Sequence, residues 1–472
     1  MTQRTNRRGF LKTAAAGATG ALILGPSAPV WSQQSNDKLR IALIGVGDRG
    51  RGFIRKVASM DQSLVAICDA DQRRLDQARD LPDGVRQFHD FRKLLAEMEG
   101  ELDAVIVATP HHSQAAISAA AIRLGKHVYC EKPIAQDVGE ARDLRKLVGE
   151  HDVVTQMGNQ GMATDSYRRT LELVQDGAIG EIHEANQWFI SNYRRDRRDE
   201  ESVPANPTAI PDGLDWDLYL GPAAERPFHH DYMRWAGWRD FGTGMLGMGG
   251  AHSCHMTFNA LNLRALWEPS DHQGPPAVIR VEAEHADPEP TGGPTDGRFP
   301  EWEMVRFDIP ARGSLPPARV NWYKGKEEDL TRLGVLPRLE KTAGRSLDWG
   351  RGWASRSGSL VVGEKGMVHT NMHNSECALL PLANFPDQGG RPQRIPRSGS
   401  HEREWVNACR GRGPKPLSNF DYAGPVLELL LLGNICTLLR RPIEYDPLAG
   451  KIINDEEADR ALRTPRREGW EV

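Results

Sequence analysis

Leu39-Arg40-Ile41-Ala42-Leu43-Ile44 runs directly into Gly45-Val46-Gly47-Asp48-Arg49-Gly50, an apolar strand-length segment ending in glycines spaced Gly-x-Gly-x-x-Gly. Phe53, Ile54, Val57 and Ala58 follow at helical spacing, so the glycines open a helix. A second apolar run, Leu64-Val65-Ala66-Ile67-Cys68, ends at Asp69 and leads into a charged helix expected over about residues 71–79. Glycines at this spacing occur in many loops and carry little weight alone. Between a strand and a helix, with an acid closing the next strand, they predict a phosphate-cradling turn.

Farther along, Ala104-Val105-Ile106-Val107-Ala108 reads as a third strand that stops at Thr109-Pro110. An Ala-rich helix is expected over 114–124, with Gly125 placed to cap it. His127-Val128-Tyr129 is a short strand, residues 137–149 a helix with Glu140 in the capping-box position, and Val153-Val154-Thr155 the last strand. Strands alternating with helices form a parallel sheet covered on both faces, which is why these strands carry few charges. The expected fold class is therefore α/β, with an N-terminal Rossmann dinucleotide-binding domain over residues 36–156. Past Gln156 the texture changes. A helix over 166–176 and a strand near 182–189 precede a stretch rich in Trp, Pro, Gly and His, and 278–283, 302–308 and 318–322 read as alternating strands. Residues 324–358 are charged and aperiodic and read as a surface excursion, whereas 426–439 is a strongly apolar helix. Residues 157–472 thus make a second, α/β domain with a large open, mainly antiparallel sheet.

The glycines have separable tasks. Gly45 permits the tight turn, Gly47 lets backbone approach a pyrophosphate, and Gly50 lets helix and strand pack closely, while the helix N-terminus faces the negative charge. Asp69 accepts from ribose hydroxyls and repels a 2′-phosphate, which favours NAD over NADP, although Arg73 and Arg74 stand nearby.

The chain has 472 residues, 39% hydrophobic and 26% charged, which suits a globular chain of two or three domains. A net charge of −4 with no long basic block excludes nucleic acid as the expected partner. The N-terminus carries Arg7-Arg8-Gly9-Phe10-Leu11-Lys12, a weakly apolar stretch too short to span a membrane, and then small residues with Pro26 and Pro29. This resembles a twin-arginine (Tat) signal peptide over residues 1–32, with a cut after Ser32 and Ala28 as a competing site. It implies export to the periplasm or beyond through the Tat translocase, a route that carries folded proteins with their cofactors. The six cysteines show no Cys-x-x-Cys and read as buried thiols, so no metal site is expected from them.

Gly125-Lys126-His127-Val128-Tyr129-Cys130-Glu131-Lys132-Pro133, with Thr109-Pro110 upstream, resembles the hallmark of the glucose–fructose oxidoreductase / inositol dehydrogenase / MocA (Gfo/Idh/MocA) family. The resemblance runs from residue 38 to the end, through Gln156-Met157-Gly158-Asn159, Asp215-Trp216-Asp217 and Asp240-Phe241-Gly242-Thr243-Gly244. Arg441-Pro442-Ile443 and Asn454-Asp455-Glu456 resemble its exported bacterial branch. What it implies is a cofactor site including Thr109, Pro110, Glu131 and Lys132, a cis bond between Lys132 and Pro133, and a homo-oligomer formed through the open sheet. It also implies Lys132 beside the nicotinamide as base or proton relay and His252 as its partner. Here the sequence departs from the pattern: Met248 stands where the resemblance puts an acid, His255 where it puts an Asp, and Gln114 where it often puts a His. Lys132 with His252 suffices, or His255, Asp240, His229 or His230 substitutes, or oxidation is lost.

Three functions remain open on the sequence. The first is an NAD(P)-dependent oxidoreductase acting on a sugar, polyol or glycoside with tightly bound cofactor. The second is a glycoside hydrolase working by transient oxidation and elimination, and the third a non-catalytic sugar-binding relative. The aromatic residues Trp216, Tyr219, Tyr232, Trp235 and Trp238 suit sugar stacking and core packing equally.

Overall fold

Apolar runs with no charged interruption become strands buried on both faces. Arg40–Ile44 (β1), Ser63–Cys68 (β2), Arg86–Phe88 (β3), Ala104–Val107 (β4), His127–Glu131 (β5) and Thr155–Gly158 (β6) form one sheet in the order β3-β2-β1-β4-β5-β6. Every pairing in it is parallel. Strand order reverses between β1 and β4, and the crevice at their carboxyl ends is where open α/β sheets bind ligands. The computed structural model describes residues 38–191, 207–269, 276–286, 297–352, 354–386 and 393–472. The leader assigned to residues 1–32 lies outside the described residues.

The second sheet has nine strands. Ile182–Ile190 (β7), Ile279–Ala286 (β8), Trp302–Ile309 (β9), Ala318–Gly325 (β10), Gly358–Gly363 (β11), Met367–Asn371 (β12), Cys377–Leu380 (β13), Ile443–Asp446 (β14) and Lys451–Ile452 (β15) run in the order β13-β12-β11-β7-β10-β9-β8-β14-β15. Only β7 and β10 pair in parallel, so the sheet is mainly antiparallel. Helix Phe420–Leu439 is apolar all round because it is buried all round. It is long and apolar enough to cross a membrane, yet 83% of its most apolar window is buried inside this fold. Glu428 within it is fully buried and accepts from Trp267 Nε1 at 2.8 Å, Tyr445 OH at 2.6 Å and Arg142 at 2.8 Å. Arg142 belongs to helix Val138–Glu150 of the first sheet's domain, so this charge pair ties the two layers together.

Several expectations need correction. Residues 324–358 are not a surface excursion: helices Glu327–Arg332 and Val335–Ala343 bury Leu330, Leu336 and Leu339 against Trp188 and Leu360 of the second sheet. The strand expected at 153–155 starts two residues later, and the helix expected over 71–79 is only Gln72–Asp76. Half of the expected capping box forms: Asp137 accepts from Glu140 N at 2.8 Å, but Glu140 Oε2 accepts from Gln136 N at 2.6 Å, one residue before the cap. All six cysteines are free thiols.

Candidate active site

The glycines differ in why they are glycines. Gly45 has φ +89°, and a Cβ there would sit 2.7 Å from the Ala108 carbonyl carbon. At Gly50 a Cβ would lie 1.9 Å from the Gly45 oxygen, so no side chain is accommodated without moving the turn. Gly47 is different: it caps helix Asp48–Ser59, and a Cβ would meet only the tip of Arg74, at 2.8 Å. Its bareness leaves the helix N-terminus open to the crevice. Asp69, at the end of β2, accepts from Val46 N at 2.9 Å and Asp71 N at 3.0 Å. Burial pushes its carboxyl pKa up, opposed by the Val46 amide and the Arg74 charge. Arg73 is committed to Asp71 at 2.7 Å, while Arg74 lines the crevice.

A single cavity of about 530 Å³ continues from this turn past Asp69, Thr109 and Pro110 to Glu131, Lys132 and His252. Of the cofactor and catalytic residues expected from sequence (Gly45, Gly47, Gly50, Asp69, Thr109, Pro110, Glu131, Lys132 and His252), only Gly50 does not line it; Gly50 serves packing. Bare backbone at a helix N-terminus, an acid at the end of β2 and a cavity of this size fit a dinucleotide.

Lys132 follows β5, and its bond to Pro133 is cis. Burial lowers its ammonium pKa to about 8, with Glu131 opposing and the Arg49 charge adding to the drop. Glu131 is buried in space left by Gly158, whose Cβ would come within 2.7 Å of the Glu131 carboxyl carbon. Its Oε1 accepts from Arg49 at 2.7 Å and Gln160 Nε2 at 3.2 Å. Glu131 is therefore engaged by Arg49, and Lys132 Nζ makes no hydrogen bond among the described residues. Gln114, at the position where a His was the common alternative, is a tie. It donates to Thr109 O at 3.2 Å and accepts from Ile134 N at 3.0 Å, holding together the loops after β4 and β5.

His252 is buried, its ring 4.9 Å from that of His373, and its Nδ1 has no partner among the described residues. Burial, then the Lys132 charge, holds its pKa well below the usual imidazole value, so it is neutral at pH 7. Met248 lines the cavity on the preceding helical turn. None of the proposed substitutes lines the cavity. His255 is fully buried and bonded to Ala251 O at 2.7 Å, Asn159 at 2.6 Å and Tyr422 OH at 3.0 Å. Asp240 pairs with Arg226 at 2.7 Å. His229, His230 and Asp231 are close enough together to hold a metal ion, but His229 Nδ1 already accepts from Asp231 N at 3.2 Å.

Besides His89, which lies by the loop after β3, two other histidines line the cavity. His111, directly after Thr109-Pro110, is buried with Nδ1 2.8 Å from Thr243 Oγ1 and its ring against Trp235. His373 comes from the turn between β12 and β13. Burial and then Lys132 lower the pKa of both. The first had a sequence signal in its place after the strand-ending Thr-Pro. His373 had none, because a polar turn far along the chain delivers it. The aromatic stretch divides its labour: Trp216, Phe228, Tyr232, Trp238 and Phe241 form a buried cluster, while Tyr219 and Trp235 border the cavity.

Residues 39–159 match the GFO_IDH_MocA model, described as an oxidoreductase family with an NAD-binding Rossmann fold. Over 228 residues the chain is 27% identical to a glycosyl hydrolase family 109 protein of Shewanella pealeana, a match covering 42% of this chain and 49% of that one. The chain thus spans about half the length of that curated relative. The WlbA dehydrogenase of Bordetella pertussis, solved with NADH and UDP-GlcNAcA, superposes with a TM-score of 0.54 at 17% identity, over 86% of this chain and 98% of that one. GenD2 from gentamicin A biosynthesis, solved with NAD, gives 0.53 at 19% identity, over 86% and 96% of the two chains. At such identities the likeness is one of fold. The matched stretch coincides with the six-stranded parallel sheet, so residues 39–159 have a Rossmann fold similar to the NAD-binding domain of that oxidoreductase family.

Proposed function

We propose that this protein is an NAD-dependent oxidoreductase acting on a carbohydrate, whether sugar, polyol or glycoside, with the nucleotide held as a resident group. One observation carries the reading. The Lys132 amine, brought by burial to a pKa of about 8, borders the same cavity as the helix-opening glycines and Asp69. When bound, NAD supplies the two-electron acceptor for oxidation of a carbinol carbon. The hydroxyl proton then needs a base. Neutral Lys132 Nζ takes it, and His252, kept neutral by burial, is the second acceptor in reach of the cavity. Met248 accepts no proton, so these two carry the proton chemistry. Gly45, Gly47 and the helix N-terminus hold the pyrophosphate, Asp69 the adenosine ribose, and Thr109 and Pro110 border the middle of the site.

A second reading is supported by the glycosyl hydrolase family 109 relative: a glycoside is oxidised, loses its aglycone by elimination, adds water and is reduced again, with no net change in NAD. The twin-arginine leader supports export of the folded, nucleotide-loaded protein, and the family resemblance supports a homo-oligomer built on the open sheet. The deciding experiment mixes the purified protein with sugars, polyols and aryl glycosides and follows absorbance at the NADH band together with phenol release. Net nicotinamide reduction supports the dehydrogenase, and phenol release without it supports the hydrolase. Failure of both in a nucleotide-loaded protein overturns the catalytic reading.

A further inference from the structure

Residues 461–472 return across the first domain and are tied down along their length. Gly139 N donates to Leu462 O at 2.8 Å, Thr464 N to Asp137 Oδ2 at 2.9 Å and Arg466 to the same oxygen at 2.7 Å. Arg466 also pairs with Glu140, and Arg467 with Asp217. Asp137 serves twice, since its other oxygen caps helix Val138–Glu150. This strap delivers Trp470, 4% exposed, to the wall of the dinucleotide cavity. The Arg92 guanidinium lies 4.8 Å over the indole, Phe91 packs at 5.7 Å, and a Cβ on Gly221 would already be in contact at 3.4 Å. Trp470 is therefore held from several sides before any ligand arrives.

Its position along the cavity identifies what it faces. In a sheet of this strand order the dinucleotide lies across the carboxyl ends of the strands, with its adenosine half over β2 and β3. Asp69 and Ala70 follow β2, and His89, Asp90 and Phe91 follow β3; all of them line the cavity beside Trp470. Lys132 marks the other end. We propose that Trp470 forms a wall of the adenine subsite, so that residues 461–472 complete the nucleotide site of the same chain. The proposal rests on the NAD reading and adds to it a binding residue drawn from far outside the Rossmann domain. A purine beside a fixed indole gains stacking that a nicotinamide at the far end does not.

The test titrates AMP, nicotinamide mononucleotide and NAD into nucleotide-free full-length protein by calorimetry. It compares the natural chain with Trp470→Ala, Trp470→Leu and Trp470→Phe, each checked for folding by thermal melting. Loss of a base–aromatic stack is expected to weaken AMP and NAD by roughly tenfold or more in Trp470→Ala and Trp470→Leu. Trp470→Phe retains most of the affinity, and nicotinamide mononucleotide binding is the same in all four. Trp470→Leu, which keeps apolar volume without a π face, separates stacking from collapse of the wall. AMP affinity within twofold of the natural chain in Trp470→Leu, or an equal loss for nicotinamide mononucleotide, overturns the proposal. A natural chain that binds none of the three nucleotides overturns the NAD reading itself, and the proposal with it.

Discussion

At the scale of single residues, the proposed oxidation turns on two groups that burial keeps short of protons. Lys132 sits near pKa 8, so about a tenth of it is neutral at pH 7 and about nine-tenths at pH 9. A base must be neutral to accept. Oxidation turnover is therefore expected to rise about tenfold between pH 7 and pH 9 and then level off, whereas in the reducing direction, where the ammonium gives the proton, it falls over the same window. Initial rates of the NAD-loaded protein across that range decide it. Lys132→Met is expected to lower turnover by about 10²- to 10⁴-fold and to leave NAD affinity within about twofold, which separates proton handling from binding. His252 offers an independent probe through Met248. Met248→Asp places a carboxylate one helical turn from the imidazole and favours its cation, so the His252 titration followed by NMR moves upward from its depressed value. An unmoved titration would show that position 248 and the imidazole do not share an environment.

At the scale of elements, the turn between β12 and β13 decides where His373 stands. Asn374 has φ +55°, a left-handed conformation that Asn tolerates, and its side chain is spent on the neighbouring helices and on β12. Its Oδ1 accepts from Met256 N at 2.8 Å, and its Nδ2 donates to Ser253 O at 3.1 Å and Thr370 Oγ1 at 2.8 Å. Gly161 completes the fit, since a Cβ there would lie 1.7 Å from the His373 carbonyl oxygen. Asn374→Ala strands buried partners, and about 1–3 kcal/mol of stability is expected to go with it, read from denaturant unfolding. The same turn shows where sequence reading stops. The first sheet was legible because each strand is a contiguous apolar run bounded by turn residues, and Gly45, Asp69, Thr109 and Lys132 all sit at strand ends that the same runs locate. Strands β8, β9 and β10 were legible by alternation. β11 to β13 were not, because Ser359, His369 and Thr370 are buried polar residues that break the pattern. Leu330, Leu336 and Leu339 were lost among charges, since each becomes core only when the second sheet arrives beneath it. In the site, the cavity-lining histidine at 373 is brought to Lys132 by long-range packing that no local periodicity records.

At the scale of the whole molecule, the nucleotide crevice is roofed by segments that belong to the second half of the chain. Gln72 N donates to Gly213 O at 2.8 Å and Asp215 N to Ala70 O at 2.9 Å, which stitches the aromatic stretch to the loop after β2. Gln136 Nε2 donates to Arg239 O at 2.7 Å, and His112 Nε2 lies 2.9 Å from Tyr219 O. Tyr219, Met233 and Trp235 from this stretch, with Trp470 from the strap, border the same cavity as the glycine turn. Such a roof is expected to slow the release of a bound dinucleotide, and the complex then adds to the stability of the fold. A ligand present at 100 times its dissociation constant adds about 2.7 kcal/mol. Protein purified from its native host is therefore expected to carry NAD, released on denaturation and identified by mass spectrometry. Stripping the NAD should lower the melting temperature by a few degrees and expose residues 207–243 to protease. Asp215→Ala tests the roof directly. It removes the cap of helix Trp216–Leu220, in which Asp215 accepts from Leu218 N at 3.0 Å; Asp215 does not itself line the cavity, although Leu218 does. Its expected effect is faster NAD release by several-fold with little change in association. Release at the natural rate would mean that the roof does not govern exchange, and retention would then have to come from the glycine turn and Asp69 alone.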